Sequence, residues 1–229
     1  MGLRKTTRKL LGKLSHPREH ALYSKFSKHT MVPREAYVAN LLLARKCQGT
    51  PGAVVECGTW RGGMIGGIAS LLGGSREYFL YDSFEGLPEA KPIDGEKATT
   101  WQKSPSDPFY HDNCTASIDD AREAMRLAGV SNANIVKGWF NDTLKSTEFP
   151  EGIALLRLDA DWYDSTMDIL EPLFDKVNPG GLLVVDDYFA WDGCSRAIHD
   201  FLSANKRTER IETFSGICFM KKRGVEGTV

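Results

Sequence analysis

A chain of 229 residues with 41% hydrophobic and 26% charged side chains suits one folded domain with one large core. The formal net charge of -1 gives no electrostatic case for a nucleic-acid partner, and no apolar run is long enough to span a membrane. Five scattered cysteines, Cys47, Cys57, Cys114, Cys194 and Cys218, lack zinc-type spacing and make an odd number. They read as reduced thiols in a cytoplasmic protein rather than as a disulfide framework.

The chain opens on MGLRKTTRKLLGKLSHPREH, a short basic stretch with Leu10, Leu11 and Leu14 between Arg and Lys. It reads as a solvated helical arm, with weak contact to an anionic surface as the alternative. Gly2 and Thr6 also fit a myristoylation pattern, which is too short to carry weight. Pro33–Cys47 places Tyr37, Leu41, Leu42 and Ala44 on a helical face, so residues 1–50 read as a helical arm or cap.

From 51 to 222 strands alternate with helices. Ala53–Gly58 predicts a buried strand stopped by glycine, and Met64–Leu72 a helix. Glu77–Asp82 follows as a strand, and Ser117–Ala128 as a helix with Ser117 at its N-cap. Asn134–Gly138 and Ile153–Asp159 are strands, and Ser165–Lys176 is a helix. Asn178–Gly181 reads as a turn, Leu182–Asp187 as a strand and Cys194–Ala204 as a helix. Strands near 210–214 and 216–221 close the domain before a tail at 223–229. The alternation implies an α/β fold, a mostly parallel sheet with helices on both faces. A long stretch from Phe84 to Cys114 shows no regular element and reads as a lid, with Trp101, Phe109, Tyr110 and His111 available to stack on a sugar ring.

Such folds bind ligands beyond the carboxyl ends of their strands, which here are Gly58, Asp82, Gly138, Asp159 and Asp186–Asp187. The first turn, ECGTWRGG, lets Gly58 turn sharply and Gly62 and Gly63 bring a helix start close to a ligand. It lacks the G-x-G-x-x-G spacing of a pyrophosphate cradle, and Glu56 beside it would oppose a pyrophosphate. A carboxylate there suits an ammonium or sulfonium centre, and S-adenosylmethionine carries both. Asp82 is placed to accept from ribose hydroxyls, or else to cap a turn. Trp139 and Phe140 after Gly138 read as an adenine wall, or else as core.

Asp159, Asp186 and Asp187 concentrate negative charge at one edge. They either surround a divalent cation such as Mg2+ or cap helices and pair with Arg157 or Arg196. Asp161, two positions beyond Asp159, is a substitute or supporting residue. A cation that coordinates a hydroxyl stabilises the alkoxide, and a nearby carboxylate takes the proton. His111 and His199 are alternative bases, although the place of His199 within a helix favours a structural role.

At these residues the chain resembles the macrocin O-methyltransferase family, sugar O-methyltransferases of macrolide and aminocoumarin pathways. The resemblance rests on VVECGTWRGG, YDSFEGLP, GWFNDTL, LRLDADWYDSTMDILEPL, NPGGLLVVDDY and GCSRAIHDF, with a looser match at HTMVPREAY. It implies a class I methyltransferase fold of Rossmann-like form, S-adenosylmethionine, and Mg2+ on Asp159, Asp186 and Asp187. It also implies Asp159 as general base and a homo-oligomer, a dimer or larger. Glu56, Gly58, Asp82, Ser83, Trp139 and Phe140 fall at positions expected around the cofactor, and Arg61, Gly62, Gly63 and Gly138 complete that set. The family more often has glycine where Ala160 stands, and the lid shows no resemblance to it from which the acceptor could be carried over. The expected reaction is O-methylation of a sugar hydroxyl on a glycoside or oligosaccharide. The alternatives are a catechol-like vicinal diol as acceptor, a nicotinamide oxidoreductase, and a non-catalytic binding protein.

Overall fold

The computed structural model describes residues 15–108 and 110–224. The basic stretch up to Leu14, Phe109 and most of the tail lie outside the described residues. Seven strands form one sheet in the order β3-β2-β1-β4-β5-β7-β6. They are β1 (Ala53–Cys57), β2 (Tyr78–Asp82), β3 (Asn134–Lys137), β4 (Ile153–Leu158), β5 (Val177–Val185), β6 (Ile211–Phe214) and β7 (Ile217–Lys221). β1 to β5 pair in parallel, while β7 runs antiparallel to both β5 and β6. Every residue of β1, β2 and β4 is buried, the pattern of parallel strands covered on both faces.

Alternate residues of each strand serve opposite faces. Val54, Leu80, Leu155 and Val184 face α1 (Pro17–Phe26), α2 (Arg34–Lys46), α3 (Gly63–Leu72) and α5 (Ile118–Ala128), where Phe26, Tyr37, Ile65 and Ala124 are fully covered. Val55, Tyr81, Leu156 and Val185 face α7 (Tyr163–Leu173) and α8 (Asp192–Ala204), against Ile169, Leu173 and Ile198. The Ser117 hydroxyl caps α5 by accepting from the Asp119 N–H at 3.2 Å.

Two segments differ from the sequence expectation. Asn178–Gly181 is not a turn ahead of β5 but part of it. Val177 pairs with Ile153 and Leu182 with Leu155, so those residues bulge out opposite Ala154 alone. Pro179 offers no N–H to a ladder and Gly180 takes φ +85°, so this stretch cannot pair regularly. The stretch 84–114 is also more ordered than expected. It holds a 3-10 turn (Pro92–Asp94), the short helix α4 (Glu96–Gln102) and a tight turn over His111–Cys114. Directly after β3 the chain makes a short helical turn, α6 (Phe140–Thr143).

Candidate active site

The strand order reverses between β1 and β4, the place where an open parallel sheet leaves a crevice at its carboxyl edge. A cavity of about 330 Å³ lies there, within the range of small-ligand sites. Gly58 makes the crevice floor possible. Its φ is +82°, and a Cβ on it would lie 1.6 Å from the Asp159 carbonyl oxygen, so the ends of β1 and β4 meet only over glycine.

Of the residues expected around a cofactor, Gly58, Asp82, Ser83, Gly138, Trp139 and Phe140 line the cavity. Asp82 accepts from the backbone N–H of Trp60 through Oδ2 and of Phe84 through Oδ1, each at 2.7 Å. Each oxygen keeps a second lone pair, so turn-holding and acceptance of a ribose hydroxyl are compatible. Burial pushes the Asp82 carboxyl up, opposed by those N–H donors. The Ser83 hydroxyl donates to the Gly86 carbonyl at 2.9 Å and accepts from Glu85.

Glu56, Arg61, Gly62 and Gly63 stand apart from the cavity wall. Gly63 donates its N–H to the His29 carbonyl at 2.8 Å, and a Cβ there would lie 2.3 Å from that oxygen. A Cβ on Gly62 would lie 3.0 Å from the Ala121 Cα. At both glycines neighbouring backbone takes the space a Cβ would need. Arg61 lies over the Trp60 ring at 4.5 Å and near Asp120. Glu56 is buried, accepting from Thr59 Oγ1 at 2.8 Å and Arg157 at 3.0 Å. Burial pushes its carboxyl up to about 7, against the pull of Arg157.

Arg157, on β4 directly opposite Glu56 on β1, organises the acidic edge. Its guanidinium reaches Glu56, Asp159 at 2.7 Å and Asp186 at 2.5 Å, and donates to Asn40 Oδ1 at 3.2 Å. Asp186 is thus turned onto the arginine. The carboxylates that converge are Asp159, Asp161 and Asp187, each with an oxygen within 4.8 Å of the others. Asp161 enters this group through a tight three-residue turn. Its φ is +56°, and the Trp162 N–H closes the turn on the Ala160 carbonyl at 2.6 Å. The Asp161 N–H donates to Asp187 Oδ2 at 3.1 Å, and Asp161 Oδ1 accepts from the Trp191 indole at 2.8 Å.

Burial followed by the charge of Asp159 pushes Asp161 up to about 8. Burial and the charges of its three aspartate neighbours hold Asp187 well above the carboxylate range. Asp159 is pushed only to about 6, because Arg157 opposes its burial. Three hard oxygen donors that repel one another fit a divalent cation such as Mg2+.

His111 lines the cavity beside Trp60, whereas His199 lies against the Tyr188 hydroxyl at 2.9 Å and away from the cavity. Wall residues that sequence reasoning missed are Met31, Val32 and Pro33 from the α1–α2 connection, and Trp191 ahead of α8. Their positions follow from long-range packing, which leaves no local signature. Only the HTMVPREAY likeness pointed near the first three.

The parallel order β3-β2-β1-β4-β5 with a reversed β7, and a ligand crevice over Gly58, define a class I methyltransferase fold. The family model for macrocin O-methyltransferase (TylF) matches residues 16–223, so the chain belongs to that family and is an S-adenosylmethionine-dependent O-methyltransferase by class. It is 33% identical over 185 residues to the 8-demethyl-8-(2,3-dimethoxy-alpha-L-rhamnosyl)-tetracenomycin-C 4'-O-methyltransferase of Streptomyces olivaceus, covering 76% of this chain and 67% of that protein. It is 30% identical over 163 residues to the mycinamicin III 3''-O-methyltransferase of Micromonospora griseorubida, covering 67% of this chain and only 61% of the relative. Among solved structures, the O-methyltransferase NovP superposes with TM-score 0.70 at 26% identity, over 86% of this chain and 83% of that one. A calicheamicin methyltransferase shares the fold, with TM-score 0.63 at 17% identity, over 90% of this chain and 91% of that one.

Proposed function

We propose that this chain transfers a methyl group from S-adenosylmethionine to a sugar hydroxyl of a glycoside or oligosaccharide, with a divalent cation such as Mg2+ held at Asp159, Asp161 and Asp187. The observation that carries the reading is the convergence of those three carboxylates on the same cavity that Gly58, Asp82 and Trp139 line. The sugar acceptor is favoured by relatives whose names describe antibiotic and glycoside O-methyltransferases.

In this reading the crevice over Gly58 takes the cofactor, Asp82 accepts from its ribose, and Trp139 and Phe140 wall its base. Bound there, the cofactor supplies an electrophilic methyl group on sulfur, and the cation favours the alkoxide form of the acceptor hydroxyl. The chain must also orient oxygen, methyl and sulfur in line, which the walls of the cavity serve. Asp159, the base expected from the sequence, is tied through Oδ2 to Arg157, which lowers its basicity. Asp161 accepts from a neutral indole instead, so no guanidinium competes for its carboxylate and it is the better placed of the two to take the hydroxyl proton. Asp186 serves the cation indirectly, by sharing Arg157 with Asp159.

A panel of glycosides, oligosaccharides and catechols incubated with S-adenosylmethionine and Mg2+, read by mass gain of one methyl group, tests acceptor and reaction together. Glycosides should gain the methyl, and Asp187→Asn should abolish the gain while leaving cofactor binding intact. Undiminished turnover in excess chelator, or full activity of Asp187→Asn, would sink the cation mechanism. Methylation of catechols alone would replace the sugar. The same reading takes the chain as a cytoplasmic homo-oligomer. Its support is family membership and five free cysteines, and light scattering measures the assembly.

A further inference from the structure

Asp161 sits in a backbone conformation that side chains other than glycine rarely adopt, with φ +56° inside a turn closed over three residues. A carboxylate delivered by such a turn needs external bonds to fix its aim. The indole of Trp191 supplies one, donating from Nε1 to Asp161 Oδ1 at 2.8 Å. Trp191 is itself held at several points. Its backbone N–H donates to the Asp187 carbonyl at 3.0 Å, so it is anchored to a second member of the trio. The buried Trp162 ring packs against it at 5.1 Å, and Lys97 lies over its ring at 4.6 Å while donating to the Ala190 carbonyl. Trp101, from α4 in the lid, packs against it at 5.6 Å. Lys97 and Trp101 both belong to α4, so the lid helix touches the trio through one side chain.

We propose that Trp191 is a positioning residue that fixes the Asp161 carboxylate toward the cation site, and that Trp101 braces it from the lid. Seating of α4 and the aim of the carboxylate are then a single event. The inference rests on the cation reading under Proposed function. It goes beyond that reading by assigning a role to a tryptophan whose link to the trio is the indole N–H donated to Asp161. A tryptophan kept for packing alone would be replaced by phenylalanine without consequence for the cation.

The test is a titration of the full chain with Mn2+, followed by electron paramagnetic resonance, for wild type, Trp191→Phe and Trp101→Ala. S-adenosylmethionine affinity is measured by calorimetry, and kcat and KM with a glycoside that the wild type methylates. Trp191→Phe keeps the ring and loses the N–H. It should weaken Mn2+ binding about 10- to 100-fold, the usual cost of removing a partner that orients a ligand. kcat should fall by a similar factor, with cofactor affinity within about twofold of wild type. Trp101→Ala should weaken Mn2+ binding in the same direction, and it keeps the proposal open to refutation should Trp191→Phe not fold. Wild-type Mn2+ affinity in Trp191→Phe overturns the proposal, as does a parallel loss of cofactor affinity, which would mark general collapse of the site. Failure of the wild-type chain to bind Mn2+ overturns the cation reading itself, so the two failures are told apart by the wild-type arm.

Discussion

Arg157 sits on a strand of otherwise apolar side chains with 1% of its side chain exposed, and it is the nearest cation to Glu56, Asp159 and Asp186. A guanidinium in that position is held by its partners as much as it holds them, and the attraction of the carboxylates raises its pKa against the pull of burial. Removing it leaves buried carboxylates uncompensated. Arg157→Met should therefore cost about 3–5 kcal/mol of stability, read from the denaturant midpoint. Glu56→Gln in the same chain should recover part of the loss, because it removes one of the stranded charges. The cross-strand register Glu56 to Arg157 explains why the sequence left two uses of the acidic edge open, ion pairing and cation binding. Charges at strand ends are visible in a sequence. Which of them an arginine claims depends on a lateral contact between β1 and β4, a hundred residues apart. Gly58 is clearer, since a glycine ending a buried strand already signals a sharp turn. Gly58→Ala should unfold the domain or prevent its soluble expression, because a Cβ 1.6 Å from the Asp159 carbonyl forces β1 and β4 apart. A Gly58→Ala chain with a wild-type melting curve would contradict that geometry.

At the scale of elements, the strands and long helices were legible because burial on both faces gives β1, β2 and β4 short, mostly apolar runs broken by Glu56, Asp82 and Arg157, while α5 repeats its alanines at helical spacing. The lid helix α4 was not legible. Its seven residues include Thr99, Thr100 and Trp101, which carry little helical preference, and it forms because Ala98 and Trp101 pack on the body of the domain. The Asn178–Gly181 bulge was misread for a related reason, since proline beside glycine signals a turn whether the strand ends there or only bends. What keeps it inside β5 is Asn178, whose Nδ2 donates to the carbonyls of Pro51 at 2.9 Å and Glu151 at 2.7 Å. The amide thus ties the start of β5 to the segments entering β1 and β4. Asn178→Ala should cost about 1–3 kcal/mol through those two lost bonds, measured by urea unfolding, with no change in the affinity for S-adenosylmethionine. Loss of cofactor affinity in that variant would show that the amino edge of the sheet communicates with the crevice.

For the molecule as a whole, the cavity joins parts of the chain that are remote in sequence. Met31 to Pro33 come from ahead of the sheet, Asp82 and Trp139 from its first half, and Asp187 and Trp191 from its second. A ligand seated there bridges the two halves and binds only the folded chain, so it must raise thermal stability by mass action. At a hundredfold excess over its dissociation constant, S-adenosylmethionine should add about 2.7 kcal/mol, or roughly 5–10 °C in melting temperature for a domain of this size. The two sides of the crevice should separate in that measurement. Asp82→Asn weakens acceptance of the ribose, so it should lose most of the cofactor-induced shift. Asp187→Asn lies on the acidic side and should keep the shift while losing any added by Mn2+. A full cofactor shift in Asp82→Asn would move the nucleoside away from β2. Equal loss in both variants would mean that cofactor and cation occupy one site, not two neighbouring ones.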